Sequence, residues 1–137
     1  MTTGRIYIIL AALLTTTLQV SGQIVTVRAA FDADSVMLGE QLTYTISAES
    51  AQDVMIGLPV YSDTLSNAIE IIEISDIDTT FRDDLRIISR EYKVAAFEPG
   101  WNTIPPQPVT FQTTGLADTA YTTALLLTVL APDVDTT

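Results

Sequence analysis

Between Gln41 and Ala48 the chain alternates without a fault. Leu42, Tyr44, Ile46 and Ala48 are apolar, and Gln41, Thr43, Thr45 and Ser47 between them are polar. A period of two puts one set on each face of an extended chain, which gives a strand with one face buried and one wet. A helix would spread the four apolar residues around its circumference. The same period governs Ile24 to Phe31, where Val25, Val27, Ala29 and Phe31 oppose Thr26, Arg28 and Ala30. It recurs where Val54, Ile56 and Leu58 oppose Asp53, Met55 and Gly57, before Pro59 closes that run.

The stretch from Tyr92 to Pro106 reads as strand, tight turn, strand. Glu98-Pro99-Gly100 supplies the turn, since Pro presets φ near −65° and Gly accepts positive φ. Tyr92, Val94 and Trp101 are the large side chains beside it and are expected at the centre of the core. Pro105, Pro106 and Pro108 then interrupt pairing, because proline cannot donate to a ladder.

Three further runs have mixed parity. Ile69 to Ile74 starts in one parity and switches at Ile71-Ile72, which its β-branched density marks as a bulged strand. Leu85 to Phe97 begins with Leu85 and Ile87 and continues with Ile88, Tyr92 and Val94, so a bend or bulge near Ile87-Ile88 is expected. Tyr121 to Ala131 is the last strand, with Leu125, Leu127 and Val129 facing in. Leu126 and Leu130 make its other side apolar too, so that side calls for a cover. Val109 and Phe111 form a short strand; Val60 to Asn67 and Thr113 to Thr119 read as loops. The whole predicts an all-β, antiparallel β-sandwich of about seven to eight strands over residues 23–132.

Residues 1–22 precede that pattern and differ from it. Arg5, an apolar run from Ile6 to Leu14, a Thr-rich stretch and Val20-Ser21-Gly22 have the form of a signal peptide cleaved before Gln23. The run is shorter than the roughly 20 apolar residues of a membrane span. Residues 133–137 read as a tail or linker.

The 137 residues include no Cys and no His. That removes thiol nucleophiles, Ser-His pairs, His general bases and nearly all zinc, copper and iron sites. It also removes any disulfide, so apolar burial must supply the stability. Acids outnumber bases 17 to 6. Such a surface repels nucleic acid and anionic lipid, which leaves membrane association to the leader or to a further segment.

Asp76, Asp78, Asp83 and Asp84 form the densest carboxylate cluster. Hard oxygen ligands of this kind suit Ca²⁺, but the spacing departs from an EF-hand loop and reads as a solvated hairpin tip. Paired carboxylates also serve glycosidases, which need a deeper cleft than a small sandwich offers. Tyr61, in a polar loop, reads as an exposed aromatic. Arg82, Arg86 and Arg90 recur every fourth residue, a spacing that puts them on one face of a strand as a basic stripe. These four are the candidate partner-binding residues, and local pairing with acids is the alternative for the arginines.

Leu38-Gly39-Glu40-Gln41, Leu58-Pro59, Asp63-Thr64-Leu65, Ile69-Glu70-Ile71-Ile72 and Asp76-Ile77-Asp78-Thr79 occur in that order. Tyr92 to Gly100, Ile104-Pro105-Pro106 and Val134 to Thr137 follow. In order and spacing this resembles the first domain of the BatD-like, oxygen-tolerance (aerotolerance) family of bacterial envelope proteins. The resemblance implies an immunoglobulin-like domain in the periplasm of a Gram-negative cell, followed by a membrane segment. It also implies a von Willebrand A-type membrane protein as partner, a MoxR-like ATPase nearby, and no catalytic residues or cofactor. The expected function is therefore non-catalytic assembly or scaffolding in the envelope. A secreted adhesin or carbohydrate-binding module, calcium-dependent or not, is the alternative.

Overall fold

The computed structural model describes residues 24–132; the leader expected at 1–22 and the tail expected at 133–137 lie outside the described residues. The described chain is all strand and turn, without a helix. Its segments are β1 (Val25–Phe31), β2 (Ser35–Met37), β3 (Gln41–Ala51), β4 (Met55–Gly57), β5 (Thr64–Ser66) and β6 (Ile69–Ile74). They continue with β7 (Asp78–Arg82), β8 (Leu85–Ala96), β9 (Gly100–Ile104), β10 (Pro108–Thr113), β11 (Leu116–Tyr121) and β12 (Leu125–Leu130).

One sheet runs β1-β3-β8-β6-β5, with β7 also paired to β8. Two smaller sheets run β11-β10-β4 and β2-β12-β9. All pairings are antiparallel except β2 with β12. Side chains of all three sheets meet in one hydrophobic core.

The alternation of β3 does what its period requires. Leu42, Tyr44, Ile46 and Ala48 are buried. Their partners on β8 are Val94, Tyr92, Arg90 and Ile88. A fully buried Val, Leu, Ile or Phe side chain contributes about 1.5–3 kcal/mol. Tyr44, Tyr92, Ile46, Ile69, Ile104, Leu127, Val94 and Val109 are all essentially inaccessible. In a chain without disulfides, these side chains carry the stability.

Several segments are parts of longer strands. Pairing of β10 with β11 begins at Thr113–Leu116 and reaches Pro108–Tyr121; the same register resumes at Ile104–Leu125 and ends at Gly100–Val129. So β9–β10 and β11–β12 are the two arms of one hairpin, interrupted where Pro105 and Pro106 have no N–H to give. The stretch expected as a loop, Thr113 to Thr119, is the tip of this hairpin, with Gly115 at φ 76° making the turn. Likewise β6 and β7 follow one edge of β8. The register shifts at Ile71/Glu73, where the sequence marks a bulge, and Ser75 N–H bridges the gap by donating to Glu91 O at 2.9 Å.

Other expectations are corrected. β8 pairs with β3 in unbroken register from Ala51–Leu85 to Gln41–Ala95, so there is no bulge at Ile87-Ile88. The apolar parity changes because Arg86 and Arg90 take two positions on the core side. The Glu98-Pro99-Gly100 turn does not make a hairpin either. It carries the chain from the sheet of β8 to the sheet of β9, with Gly100 at φ 102°. The segment expected as a loop from Val60 to Asn67 contains β5.

Candidate functional site

Trp101 is the largest departure from the sequence reading. Ile104 on β9 is buried, so the alternation sends Asn102 and Gly100 inward with it and Trp101 and Thr103 outward. Trp101 is 79% exposed, not part of the core. Tyr92, Val94 and Ile104 are all even-numbered and buried, so odd-numbered Trp101 falls on the opposite parity; the size of its ring, not its parity, points to the core.

On β12 the inward residues are Leu125, Leu127 and Val129, as the pattern requires. Leu126 (58% exposed) and Leu130 (46%) face out. Register places Leu126 beside Thr103, Thr128 beside Trp101 and Ser35, and Leu130 beside Met37. The outer face of β2-β12-β9 therefore presents Trp101, Leu126, Leu130 and Met37 around Thr103, Thr128 and Ser35. It holds no charged side chain, on a chain with net charge −11. This is the apolar side of the last strand that the sequence marked as needing a cover, and Trp101 extends it.

Tyr61 is half-buried rather than exposed. Its ring meets that of Tyr92 edge-on at 5.3 Å, and Tyr92 lies 5.9 Å from Tyr44, which contacts Phe31 at 5.1 Å. Burial is the main cause that raises the phenol pKa of all three tyrosines above the ordinary value. For Tyr92 the nearby Arg90 charge opposes it. The Tyr61 hydroxyl donates to Gln107 Oε1.

Gln107 closes the gap in the interrupted hairpin. It is buried, as is Thr122 across from it. Gln107 N–H donates to Thr122 Oγ1 at 2.7 Å, and Thr122 N–H donates to Gln107 O at 3.0 Å. Gln107 Nε2 donates to Pro105 O at 2.6 Å. Sequence reasoning missed this pair; the available signal was two prolines that leave a strand pair short of donors.

The arginines do not share one face. Arg82 lies opposite Leu85 on the solvent side of the large sheet and pairs with Glu49 at 2.9 Å. Arg86 and Arg90 point to the core side with Ile88 and Tyr92. Arg86 donates through Nη2 to Val54 O. The Nε atoms of Arg86 and Arg90 are buried without a hydrogen-bond partner. The acidic residues are also spread out. Asp83 and Asp84 make the β7–β8 turn, with Asp83 at φ 57°, Asp78 begins β7, and Asp76 lies between β6 and β7. Among the described residues no group of three or more Asp or Glu is placed to hold a metal ion. No described helix is long and apolar enough to cross a membrane. No protein-family model matches the chain, and no curated protein matches it.

Proposed function

We propose that this protein is a non-catalytic interaction domain of the bacterial envelope that docks a partner protein on the face bearing Trp101, Leu126 and Leu130. The observation that carries this reading is the uncharged aromatic and aliphatic surface on an acidic domain. Large exposed aromatics and aliphatics in an uncharged patch are the composition of an interface centre. A partner meeting this face avoids the repulsion that the rest of the surface would impose on another acidic protein. The missing Cys and His leave acyl-transfer and transition-metal chemistry without their usual side chains.

An immunoglobulin-like β-sandwich is the fold we propose, and strand order supports it. Reading β1, β3, β4, β6–β7, β8, β9–β10 and β11–β12 as strands A to G gives A-B-E-D in one layer. The other layer becomes G-F-C, the arrangement of constant-type immunoglobulin domains. The leader-like residues 1–22 support export to the periplasm, and the resemblance to the BatD-like family supports a von Willebrand A-type membrane protein as partner.

The test is crosslinking and affinity recovery from envelope fractions with the natural chain and a Trp101→Ser/Leu126→Ser variant, with and without EDTA. The reading expects a von Willebrand A-type membrane protein, insensitive to EDTA and lost with the variant. Equal recovery by the variant would overturn the docking face. An exposed indole also suits stacking on a sugar ring, which favours the carbohydrate-binding alternative. Recovery of glycan, lost with Trp101→Ser, would select it.

A further inference from the structure

We infer that β7 is an open edge that accepts an extended, cationic segment of another protein as an added strand. The sheet β1-β3-β8-β6-β5 ends on this side in β6 and β7, and β5 covers only the start of β6 through Thr64–Glu70 and Ser66–Ile69. β7 pairs with β8 alone, and all five of its residues are exposed.

The free backbone groups follow from the hairpin. Asp83 and Asp84 form a two-residue turn between paired Arg82 and Leu85. Residues flanking such a turn bond to each other, and antiparallel ladders alternate bonded and non-bonded pairs. Arg82, Thr80 and Asp78 therefore direct their N–H and C=O groups to β8. Thr79 and Phe81 direct theirs away from the sheet. The donation of Ser75 N–H to Glu91 O fits the same phase, in which odd-numbered residues of β8 serve this side.

Side chains fix the chemistry of the occupant. Thr79 and Phe81 lie on the core side of the sheet, opposite Ile88 and Arg86, yet Phe81 is 64% exposed and Ile77 47%. An added strand would cover both with apolar side chains on that face. Four carboxylates (Asp76, Asp78, Asp83 and Asp84) surround the edge. Arg82, the cation of β7, is engaged by Glu49. An open groove of about 520 Å³ beside β7 includes Asp76, Ile77, Asp78 and Glu91, with Arg90 as its cation next to the Tyr92 hydroxyl. An acidic rim around a free ladder and two apolar side chains complements a strand that alternates basic and apolar residues. The other edge of this sheet, β1, carries Arg28 and is touched by β11, so it lacks that complementarity.

The probe is a synthetic peptide of alternating lysine and valine, with an alternating glutamate and valine peptide as control. Binding to the full chain is followed by calorimetry and by amide exchange. The lysine peptide is expected to bind, to weaken with salt, and to slow exchange at Thr79 and Phe81. Thr79→Pro removes an outward N–H without taking a bond from the β8 ladder and is expected to weaken binding about 10-fold or more. Asp76→Asn/Asp78→Asn, which leaves the backbone free, is expected to flatten the salt dependence. Unchanged affinity with Thr79→Pro, equal binding of the glutamate peptide, protection at β1 instead of β7, or no binding would each overturn the inference. Should Thr79→Pro fail to fold, exchange protection in the natural chain and the asparagine variant decide alone.

Discussion

Replacing Thr122 by valine isolates one hydrogen bond in the interrupted hairpin. Thr122 and Gln107 are both buried, and the Gln107 N–H has Thr122 Oγ1 as its acceptor at 2.7 Å. Valine keeps the shape of threonine and deletes that acceptor. A buried donor left without a partner costs about 1–3 kcal/mol. The extra methyl group recovers at most about 0.8 kcal/mol. The net expectation is a loss of about 0.2–2 kcal/mol, or about 1–8 °C in Tm for a domain of this size. Thr122→Ser keeps the oxygen and gives up only a methyl group, about 0.8 kcal/mol. Chemical denaturation measures the difference, and amide exchange locates it: Gln107 N–H should exchange faster in the valine variant and not in the serine variant. A valine variant as stable as the natural chain, with Gln107 still protected, would refute the reasoning.

Three other outcomes follow from the structure. Trp101→Ala should change unfolding free energy by less than about 0.5 kcal/mol, as for other exposed positions, while abolishing partner recovery; a larger loss in urea titration would return the ring to the core. Tyr44, Tyr61 and Tyr92 have pKa values raised by burial above the unfolded value of about 10. Their contribution is therefore complete below about pH 10 and is lost as pH rises above it. In a Tyr7→Phe/Tyr121→Phe variant, which leaves only these three phenols, tyrosinate absorbance should appear together with unfolding in that range, and gradual ionisation of the folded variant would contradict the core assignment. Finally, Tm should be the same with millimolar Ca²⁺ and with EDTA, because the four aspartates are dispersed along β7 and its flanks; a calcium-dependent rise in scanning calorimetry would reverse this.

Local pattern was a good guide wherever one strand obeyed one period. Leu42 to Ala48, Val25 to Phe31 and Leu125 to Val129 could be assigned to faces because alternation alone decides them. The bulge at Ile71-Ile72 was legible because an extra residue flips parity. Trp101 is misplaced when the size of its ring is weighed above its parity: Tyr92, Val94 and Ile104 are even-numbered core residues, and Trp101 stands on the opposite face. Arg86 and Arg90 defeated the pattern differently. Polar residues on the core side imitate the parity change of a bulge, and their stems pack where an aliphatic residue would be expected. Of the candidate surface, Leu126 and Leu130 were visible as surplus apolar positions. Their grouping with Trp101 depends on β9 pairing with β12, and with Met37 on β2 pairing parallel to β12, a contact between strands far apart in sequence.

The clasp between Gln107 and Thr122 also bears on how the protein can vary over time. It fixes the register of the hairpin at a point between the Gly115 tip and the Trp101 face. Residues added or lost around Gly115 would lengthen or shorten β10 and β11 while β9 and β12 kept their alignment. The tip is thus free to diverge in length and composition, and the surface at the other end inherits none of that variation.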